Sequence, residues 1–314
     1  MTVSIVVVSF NTRALLGRCL ASIDAHPPRC PHDTVVVDNG SRDGSAGLVA
    51  ARFPHVRLLA LGANVGFAAA NNRGFDATRG DHVLMLNADT ELLPGTLDRL
   101  LDVLEADPSI GVAGPTERTA EGTRYPTICP FPDLGWALMS HSGLRRRFNR
   151  SRLVNPIRSV WEAALATGAP VDVDWLSGAS LLLRRKALAE GGGLDEGFFF
   201  YAEETDLCRR LRTLGWRVAY VPAAEIVHHG GASTAAAPRG LLTLSGALGE
   251  LRYFARHRPR WERLALRALL AGESLARLAT AARDDPRRWA WREVLRAALG
   301  CRAALVTEEE RCRS

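Results

Sequence analysis

Residues 4–9 (SIVVVS) place one isoleucine and three valines in an unbroken run. Such a run fits a strand buried on both faces of a parallel sheet. Similar short apolar runs follow at residues 34–37, 56–59 and 82–86 (HVLML), separated by segments with helical spacing. In residues 13–25, Leu15, Leu16, Cys19, Leu20 and Ile23 recur at helical intervals until Pro27-Pro28, and Thr12 is placed to cap that helix. A polar turn at 38–45 leads to a short helix, and residues 66–78 read as another. Strict β-α-β-α alternation predicts a doubly wound, mostly parallel α/β sheet flanked by helices, with its ligand site at the carboxyl ends of the strands. Those ends carry Phe10-Asn11, Asp38-Asn39 and Asn87-Ala88-Asp89. Residues 115–170, rich in Pro and Arg, are expected to be loops over the site. Further strands are expected within 171–184 and 215–221, flanking a helix over 203–214.

The chain has 314 residues and a net charge of +6. That length suits one large domain with a smaller appendage. The charge is unevenly placed: residues 251–314 hold 15 Arg against 8 acidic residues, leaving 25 basic against 26 acidic before them. A nearly neutral body argues against nucleic acid as a partner. After Pro238, Ala, Leu and Arg dominate three helical stretches, 241–257, 261–283 and 287–305. In the second, Trp261, Leu264, Ala265, Ala268, Leu269, Gly272, Leu275 and Ala276 follow the spacing of an amphipathic face. These helices are a packing extension or homodimer surface, or a peripheral contact to an anionic membrane or to a lipid diphosphate acceptor; both readings stay open. No stretch reaches transmembrane length and residues 1–10 lack the features of a secretory leader, so a cytoplasmic protein is expected, at the inner face of the membrane if the second reading holds. The six cysteines show no metal-ligand spacing and are expected to be buried thiols.

Four constellations could carry chemistry. Asp38, at a strand end and followed by Gly40 and Gly44, could accept a base N–H or a ribose hydroxyl, or merely form an Asx turn. Asp89 suits Mg²⁺ or Mn²⁺ beside diphosphate oxygens, or a helix cap. Glu203, Glu204 and Asp206 follow four aromatics, Phe198 to Tyr201, that call for burial, where one carboxylate could be kept basic enough to take a proton. Helix-dipole enrichment is the bland alternative. His228 and His229 precede glycines and could serve a metal or a diphosphate.

Taken together and in order, the segments SIVVVSFNT, VVVDNGSRDGS, NVGFAAANNRGF, LMLNADTEL, WLSGASLLLRR, GLDEGFFFYAEETDLCRRLRTLGW and HHGGAST resemble the inverting family 2 glycosyltransferases, in particular their rhamnosyltransferase-like branch. The resemblance covers residues 1 to about 234. It implies a GT-A fold over residues 1–235, with a nucleotide-sugar half to about 114 and an acceptor half from about 115, and leaves 236–314 as a basic helical extension. It implies a divalent cation, Mg²⁺ or Mn²⁺, and direct displacement at the anomeric carbon. By the resemblance Asp38 recognises the base, Phe10 and Asn11 line the nucleotide, and Asn64, Gly66 and Asn72 border ribose and diphosphate. Asn87-Ala88-Asp89 is similar to the D-x-D metal element with its first Asp replaced by Asn, leaving Asp89 as principal ligand with His228, preferred to His229. Glu203-Glu204 stands where a Glu-Asp pair is usual, so Glu204 is placed as general base, with Glu203 and Asp206 beside it. Trp175, Gly178, Ala179 and Ser180 are similar to the segment shaping the acceptor and donor-sugar pocket.

The function so implied is transfer of a sugar, rhamnose from dTDP-rhamnose being the expected donor, to a hydroxyl of a cell-surface glycan or lipid-linked acceptor in polysaccharide or cell-wall synthesis. A catalytically silent sugar-nucleotide-binding protein, suggested by Asn87, and a nucleotidyltransferase are the alternatives. The second of these usually has a Gly-rich basic loop near the N-terminus, which the sequence lacks.

Overall fold

The computed structural model describes residues 1–142, 156–230 and 238–301. In chain order the elements begin with β1 (Val3–Ser9), α1 (Arg13–Ala25), β2 (His32–Asp38), α2 (Ser45–Arg52), β3 (Arg57–Ala60), α3 (Phe67–Asp76), β4 (His82–Asn87), β5 (Thr90–Leu92), α4 (Thr96–Ala106) and β6 (Ile110–Arg118). Next come β7 (Arg124–Tyr125), β8 (Ile128–Cys129), α5 (Leu134–His141), α6 (Pro156–Thr167), β9 (Val171–Asp172), β10 (Trp175–Leu176) and β11 (Ser180–Arg184). The chain continues through α7 (Arg185–Glu190), α8 (Glu203–Thr213), β12 (Arg217–His228), α9 (Arg239–His257), α10 (Arg260–Thr280) and α11 (Arg288–Ala298). Two compact units result, one from Met1–Phe131, Pro156–Glu196 and Glu204–Ser233, the other from Pro132–Asn155, Gly197–Glu203 and Thr234–Ser314.

The first unit is built on a sheet whose strands run β3-β2-β1-β4-β11-β6-β12-β5. The alternating half is parallel, as is the β6–β12 pair, while β11 runs antiparallel between β4 and β6 and β5 runs antiparallel on β12. All seven residues of β1 are buried. Its side chains divide by the two-residue period of a strand. Val3, Ile5 and Val7 pack with residues of α1, α2 and α4, while Val6 and Val8 pack with α3, α6, α7 and α8. Helices thus cover both faces, and each fully buried Val or Ile contributes roughly 1.5–3 kcal/mol. β1 ends opposite β2 at Ser9 and Asp38, and Val8 lies opposite Asn87 on β4, so three strand ends reach one level.

Close packing of α3 on β1 depends on Gly74. A Cβ built there would lie 2.2 Å from Val6 Cγ1. Gly74→Ala gains about 1 kcal/mol of helix propensity, yet overpacking typically costs 1–3 kcal/mol. A net loss of up to about 2 kcal/mol is expected, read as a lower urea midpoint at unchanged slope.

Several expectations need correction. Residues 115–118 continue strand β6, and much of the segment taken for loops forms β7, β8, α5 and α6; residues 143–155 lie outside the described part. Thr12 sits at the N-cap of α1, but its hydroxyl lies 2.9 Å from Ser9 Oγ and makes no capping bond. Cys301 is exposed, whereas Cys19 and Cys208 are buried. The expected end of the third tail helix, residues 302–305, lies outside the described residues.

In the second unit α9, α10 and α11 pack on one another, and α5 packs on α10. On α10 the buried residues are Glu262, Leu266, Leu270 and Ser274, so the apolar stripe seen in the sequence faces outward, with Trp261 63%, Leu264 55% and Leu275 55% exposed. The inner carboxylates are satisfied: Glu262 pairs with Arg258 at 2.7 Å and accepts the Leu134 N–H, and Glu273 lies 2.6 Å from His141 Nδ1. His141 Nε2 lies 2.8 Å from Glu250. Glu250 and then Glu273 hold the imidazole charged, with its pKa raised to about 10 against the opposing effect of burial. Because the folded value exceeds the unfolded one, this stabilisation is complete below about pH 6.5 and fades as pH rises through about 10. His141→Leu leaves two carboxylates without their cation and is expected to cost roughly 2–4 kcal/mol at pH 6 and much less at pH 10.5, measured by denaturant melts. No described helix is long and apolar enough to cross a membrane.

Candidate active site

At the end of β2 the loop after Asp38 is held by its own polar groups. Asp38 Oδ2 accepts the Ser41 N–H at 3.2 Å, while Oδ1 is buried with no hydrogen-bond partner among the described residues. A buried carboxylate oxygen without a donor is costly, so this oxygen is suited to a ligand N–H or hydroxyl. Asn39 donates to Asn64 Oδ1 at 3.0 Å and accepts from Val65 N at 2.9 Å, and Asn64 Oδ1 also accepts the Gly66 N–H at 3.0 Å. These bonds join the 38–45 loop to the start of α3. Gly40 permits the approach: it has φ +83°, and a Cβ there would lie 2.7 Å from the Ala63 carbonyl carbon. Asn11, at φ +53°, accepts from Arg42 N through its side-chain oxygen at 2.8 Å and donates its own backbone N–H to Ser41 Oγ at 3.0 Å. Phe10 beside it is half-buried.

The second group forms where β5 and β12 pair, His228 lying opposite Thr90. That register brings His228 Nε2 to 3.5 Å from Asp89 Oδ1. The other ring nitrogen, Nδ1, lies 2.6 Å from Glu117 Oε2 and 3.0 Å from Tyr125 Oη, and Tyr125 donates to Glu117 at 2.8 Å. Burial opposes charge on His228, but Asp89 and Glu117 outweigh it and raise its pKa to about 10. Burial, reinforced by the Glu117 charge, pushes the Tyr125 hydroxyl well above its ordinary pKa. A histidine backed through its far nitrogen by a carboxylate, with a second carboxylate at its near nitrogen, is a donor pair that fits a hard divalent cation once the cation displaces the Nε2 proton, since only the neutral imidazole can act as a ligand. Among the described residues no group of three or more His, Cys, Asp or Glu side chains is arranged to hold a metal. Asp89 and His228 therefore supply a partial ligand set. Asn87 Oδ1 is buried without a hydrogen-bond partner among the described residues, while the Asn87 carbonyl accepts Thr90 Oγ1 at 2.6 Å. His229 is engaged elsewhere, 2.6 Å from Glu91, which also pairs with Arg18 at 2.7 Å. Residues 231–234 of the glycine-containing segment lie outside the described part.

Glu204 stands in the first turn of α8, beside Gly178. The link back to Asp89 runs through the sheet: Ser180 lies opposite Leu86, and Asn87 N donates to Ala179 O at 2.9 Å. A Cβ on Gly178 would lie 3.5 Å from the Glu204 carboxyl carbon. Burial raises the Glu204 pKa to about 7, against the backbone amides of Glu204, Thr205 and Gly178, which favour the anion. Its Oε2 is buried with no hydrogen-bond partner among the described residues. A carboxylate near neutral pKa is tuned for general-base work. Glu203 is buried at 4% exposure and points away from Glu204 around the helix. Tyr201 and Ala202, just before them, have φ +75° and +72°. Non-glycine residues in that region cost about 1–3 kcal/mol each and concentrate at functional sites. Of the four aromatics expected to be buried, only Phe198 is nearly so, at 1%, while Tyr201 is 40% exposed.

Other expected site residues have structural tasks. Asp206, fully buried, holds Arg210 at 2.7 Å, and Arg210 in turn binds the Gly191 and Gly193 carbonyls. The Asn72 amide donates to Leu194 O at 2.8 Å and accepts from Leu194 N at 3.0 Å, so it fixes the 193–196 loop. Trp175 Nε1 donates to Pro130 O at 2.9 Å. Ala179 and Ser180 are buried at 2% and 1%, leaving Gly178 as the member of that segment next to Glu204. Glu117 and Tyr125 were absent from the sequence reading. An acid inside a segment that looks irregular carries no local signal, and its link to His228 comes from the β6–β12 pairing.

A family profile described as Glycosyl transferase family 2 matches residues 4–157, and one described as Glycosyl transferase family group 2 matches residues 82–307. The chain is 35% identical over 295 residues to the N-acetylglucosaminyl-diphospho-decaprenol L-rhamnosyltransferase of Mycobacterium tuberculosis, covering 90% of this chain and 94% of that one. Rhamnosyltransferase WbbL of Escherichia coli is 42% identical over 57 residues, 18% of this chain and 22% of that one. Among solved structures, the mannosyltransferase PcManGT of Pyrobaculum calidifontis, in complex with GDP-Man and Mn²⁺, superposes with a TM-score of 0.56 at 18% identity, over 95% of this chain and 86% of that one. S. aureus TarS superposes at 0.53 and 14% identity, over 96% and 92%.

Proposed function

Because the chain belongs to the family 2 glycosyltransferases, of the rhamnosyltransferase type, we propose that it moves L-rhamnose from dTDP-rhamnose to a hydroxyl of a lipid-linked glycan acceptor, with inversion. The name of the M. tuberculosis relative, which states both the sugar and a diphospho-decaprenol acceptor, supports that choice of substrates. Residues 1–235 act as the catalytic domain, donor half to about 114 and acceptor half beyond it, with 236–314 as an extension. Asp38 takes the base or ribose through its free oxygen, with Phe10, Asn11, Asn64 and Gly66 forming the surrounding loops.

Asp89 and His228 would hold Mg²⁺ or Mn²⁺; the presence of Mn²⁺ in the Pyrobaculum enzyme supports this. When bound, the cation neutralises charge that builds on the departing nucleoside diphosphate. Glu117 and Tyr125 orient His228 through its Nδ1. Glu204 removes the acceptor hydroxyl proton as that oxygen attacks the anomeric carbon on the face opposite the leaving group. No protein acid is required, because the leaving group is a diphosphate.

The observation that carries this reading is the half-buried Glu204, poised near neutral pKa and set one hydrogen-bonded strand pair from Asn87 and Asp89. The test of the donor is a thermal-shift panel of dTDP, UDP and GDP with and without Mn²⁺. dTDP with Mn²⁺ is expected to stabilise the protein most, by about 2.7 kcal/mol at a hundredfold excess over Kd. A larger shift with UDP or GDP would overturn the dTDP assignment, and no shift with any diphosphate would overturn the donor class.

A further inference from the structure

We propose that the outward face of α10 docks on an anionic lipid surface, its apolar stripe entering the headgroup boundary and an adjoining arginine-lined pocket receiving lipid phosphate. The proposal goes beyond the transfer reading and does not depend on it. The stripe consists of Trp261, Leu264, Ala268, Gly272, Leu275 and Ala276, all exposed. Successive members lie three or four residues apart, except Ala276 directly after Leu275, so they share one side of a 21-residue helix and no charged side chain interrupts them. A soluble helix ordinarily turns such a face inward. Here the inward face is a second apolar row, Leu266 and Leu270, with Glu262 and the half-buried Glu273 beside it, each committed to a cation inside the unit, so the outer stripe is left over from packing. The exposed arrangement is that of a helix lying in a membrane interface, with a tryptophan at its start.

The charge beside the stripe identifies the partner. A pocket of about 390 Å³ is lined by Leu251, Phe254, Leu264 and Ala297 and by Arg260, Arg263 and Arg267, with no acidic residue among its lining. Arg263 donates to Ala255 O and Arg267 to Ala298 O, backbone acceptors that leave the guanidinium charges uncompensated among the described residues. None of the three forms an ion pair with a described residue. Leu264 belongs to both the stripe and the pocket wall, so the apolar and cationic parts adjoin. Leu299, 68% exposed, follows α11, whose Ala298 carbonyl receives Arg267. A second copy of the chain on this face would set arginine clusters together with no carboxylate of the described pocket lining to receive them, which favours a phosphate-bearing lipid surface.

The test is co-sedimentation of the full chain with phosphatidylcholine vesicles, with and without a third of phosphatidylglycerol, at 0.1 M salt. Binding to the anionic vesicles is expected to exceed that to neutral ones at least tenfold and to fall steeply at 0.5 M salt. Leu264→Glu and the pair Arg260→Glu with Arg267→Gln are each expected to weaken binding by about tenfold to a hundredfold. Should a variant melt early, brominated-lipid quenching of the unmodified chain, compared with Trp261→Phe, reads the same contact. Transfer to a soluble acceptor analogue should be unchanged by Leu264→Glu, which separates this outcome from a failure of the transfer reading. Equal binding to neutral and anionic vesicles, or variants that bind as the unmodified chain does, would overturn the proposal. So would self-association lost in Leu264→Glu without any vesicle binding, or vesicle binding gained only when residues 302–314 are removed.

Discussion

Glu204→Gln is expected to lower the transfer rate by about a hundredfold to ten-thousandfold, the range a general base supplies, while donor diphosphate affinity stays within a few-fold of the unmodified protein. The substitution keeps the shape and the helix start but cannot take a proton. With the pKa of Glu204 near 7, the rate of the unmodified enzyme should rise with pH through about 7 and level off above it, and the residual rate of Glu204→Gln should lack that limb. The same shift has a consequence for stability. A carboxyl whose folded pKa is raised from 4.5 to about 7 favours folding fully only below the unfolded value, and that contribution is lost as pH rises through about 7. Glu204→Gln is therefore expected to melt higher than the unmodified protein at pH 8, by roughly 1–3 kcal/mol after discounting partial exposure, and about equally at pH 4.5. A variant that is both inactive and more stable marks a residue whose burial serves chemistry at the expense of folding. Retained transfer in Glu204→Gln would remove the base assignment, and an unchanged melt at both pH values would remove its physical cause.

Asp89→Ala should abolish the Mn²⁺-dependent part of nucleotide stabilisation and reduce transfer by about a hundredfold or more, since charge compensation by a bound cation is worth several kcal/mol in the transition state. The backbone should keep its course, at some cost in stability because His228 loses one of its two carboxylates. The bond that fixes residue 89 to β12 is from His229 N to the Asp89 backbone carbonyl, at 2.9 Å, and survives truncation of the side chain. Asp89→Asn, which keeps the volume and loses the charge, should behave like the alanine variant toward Mn²⁺ and melt below the unmodified chain but no lower than the alanine variant, because Glu117 still faces His228. Metal-dependent stabilisation that persists in both variants would move the cation site away from Asp89.

The parallel half of the sheet was legible because its strands are unbroken valine and leucine runs, each followed by a helix whose apolar period is clear. β12 was read only to Val221 because Pro222 interrupts it; the structure carries the strand past that point through a register shift between Val221 and Glu225. That extension is what brings His228 to Asp89. Asp38, Asp89 and Glu204 could be singled out because each follows a recognisable boundary, a strand end or a helix start. Nothing local distinguishes Glu204 from Asp206 as a base. The difference is made by Arg210, which neutralises one, and by Gly178, which leaves room beside the other. Asn72 likewise gave no sign that its amide would be spent on the Leu194 backbone. The face of α10 was visible as a stripe, but its direction was not, because the carboxylates opposite it become acceptable inside only once Arg258 and His141 meet them.

The most direct test of one-step displacement by Glu204 is the anomeric configuration of the product, read from the one-bond carbon–hydrogen coupling of the transferred sugar before any hydrolysis. Configuration opposite to that of the donor is expected, with one nucleoside diphosphate released per sugar moved. Retention of the donor configuration would contradict a mechanism in which a single carboxylate primes the acceptor and the sugar never bonds to the protein.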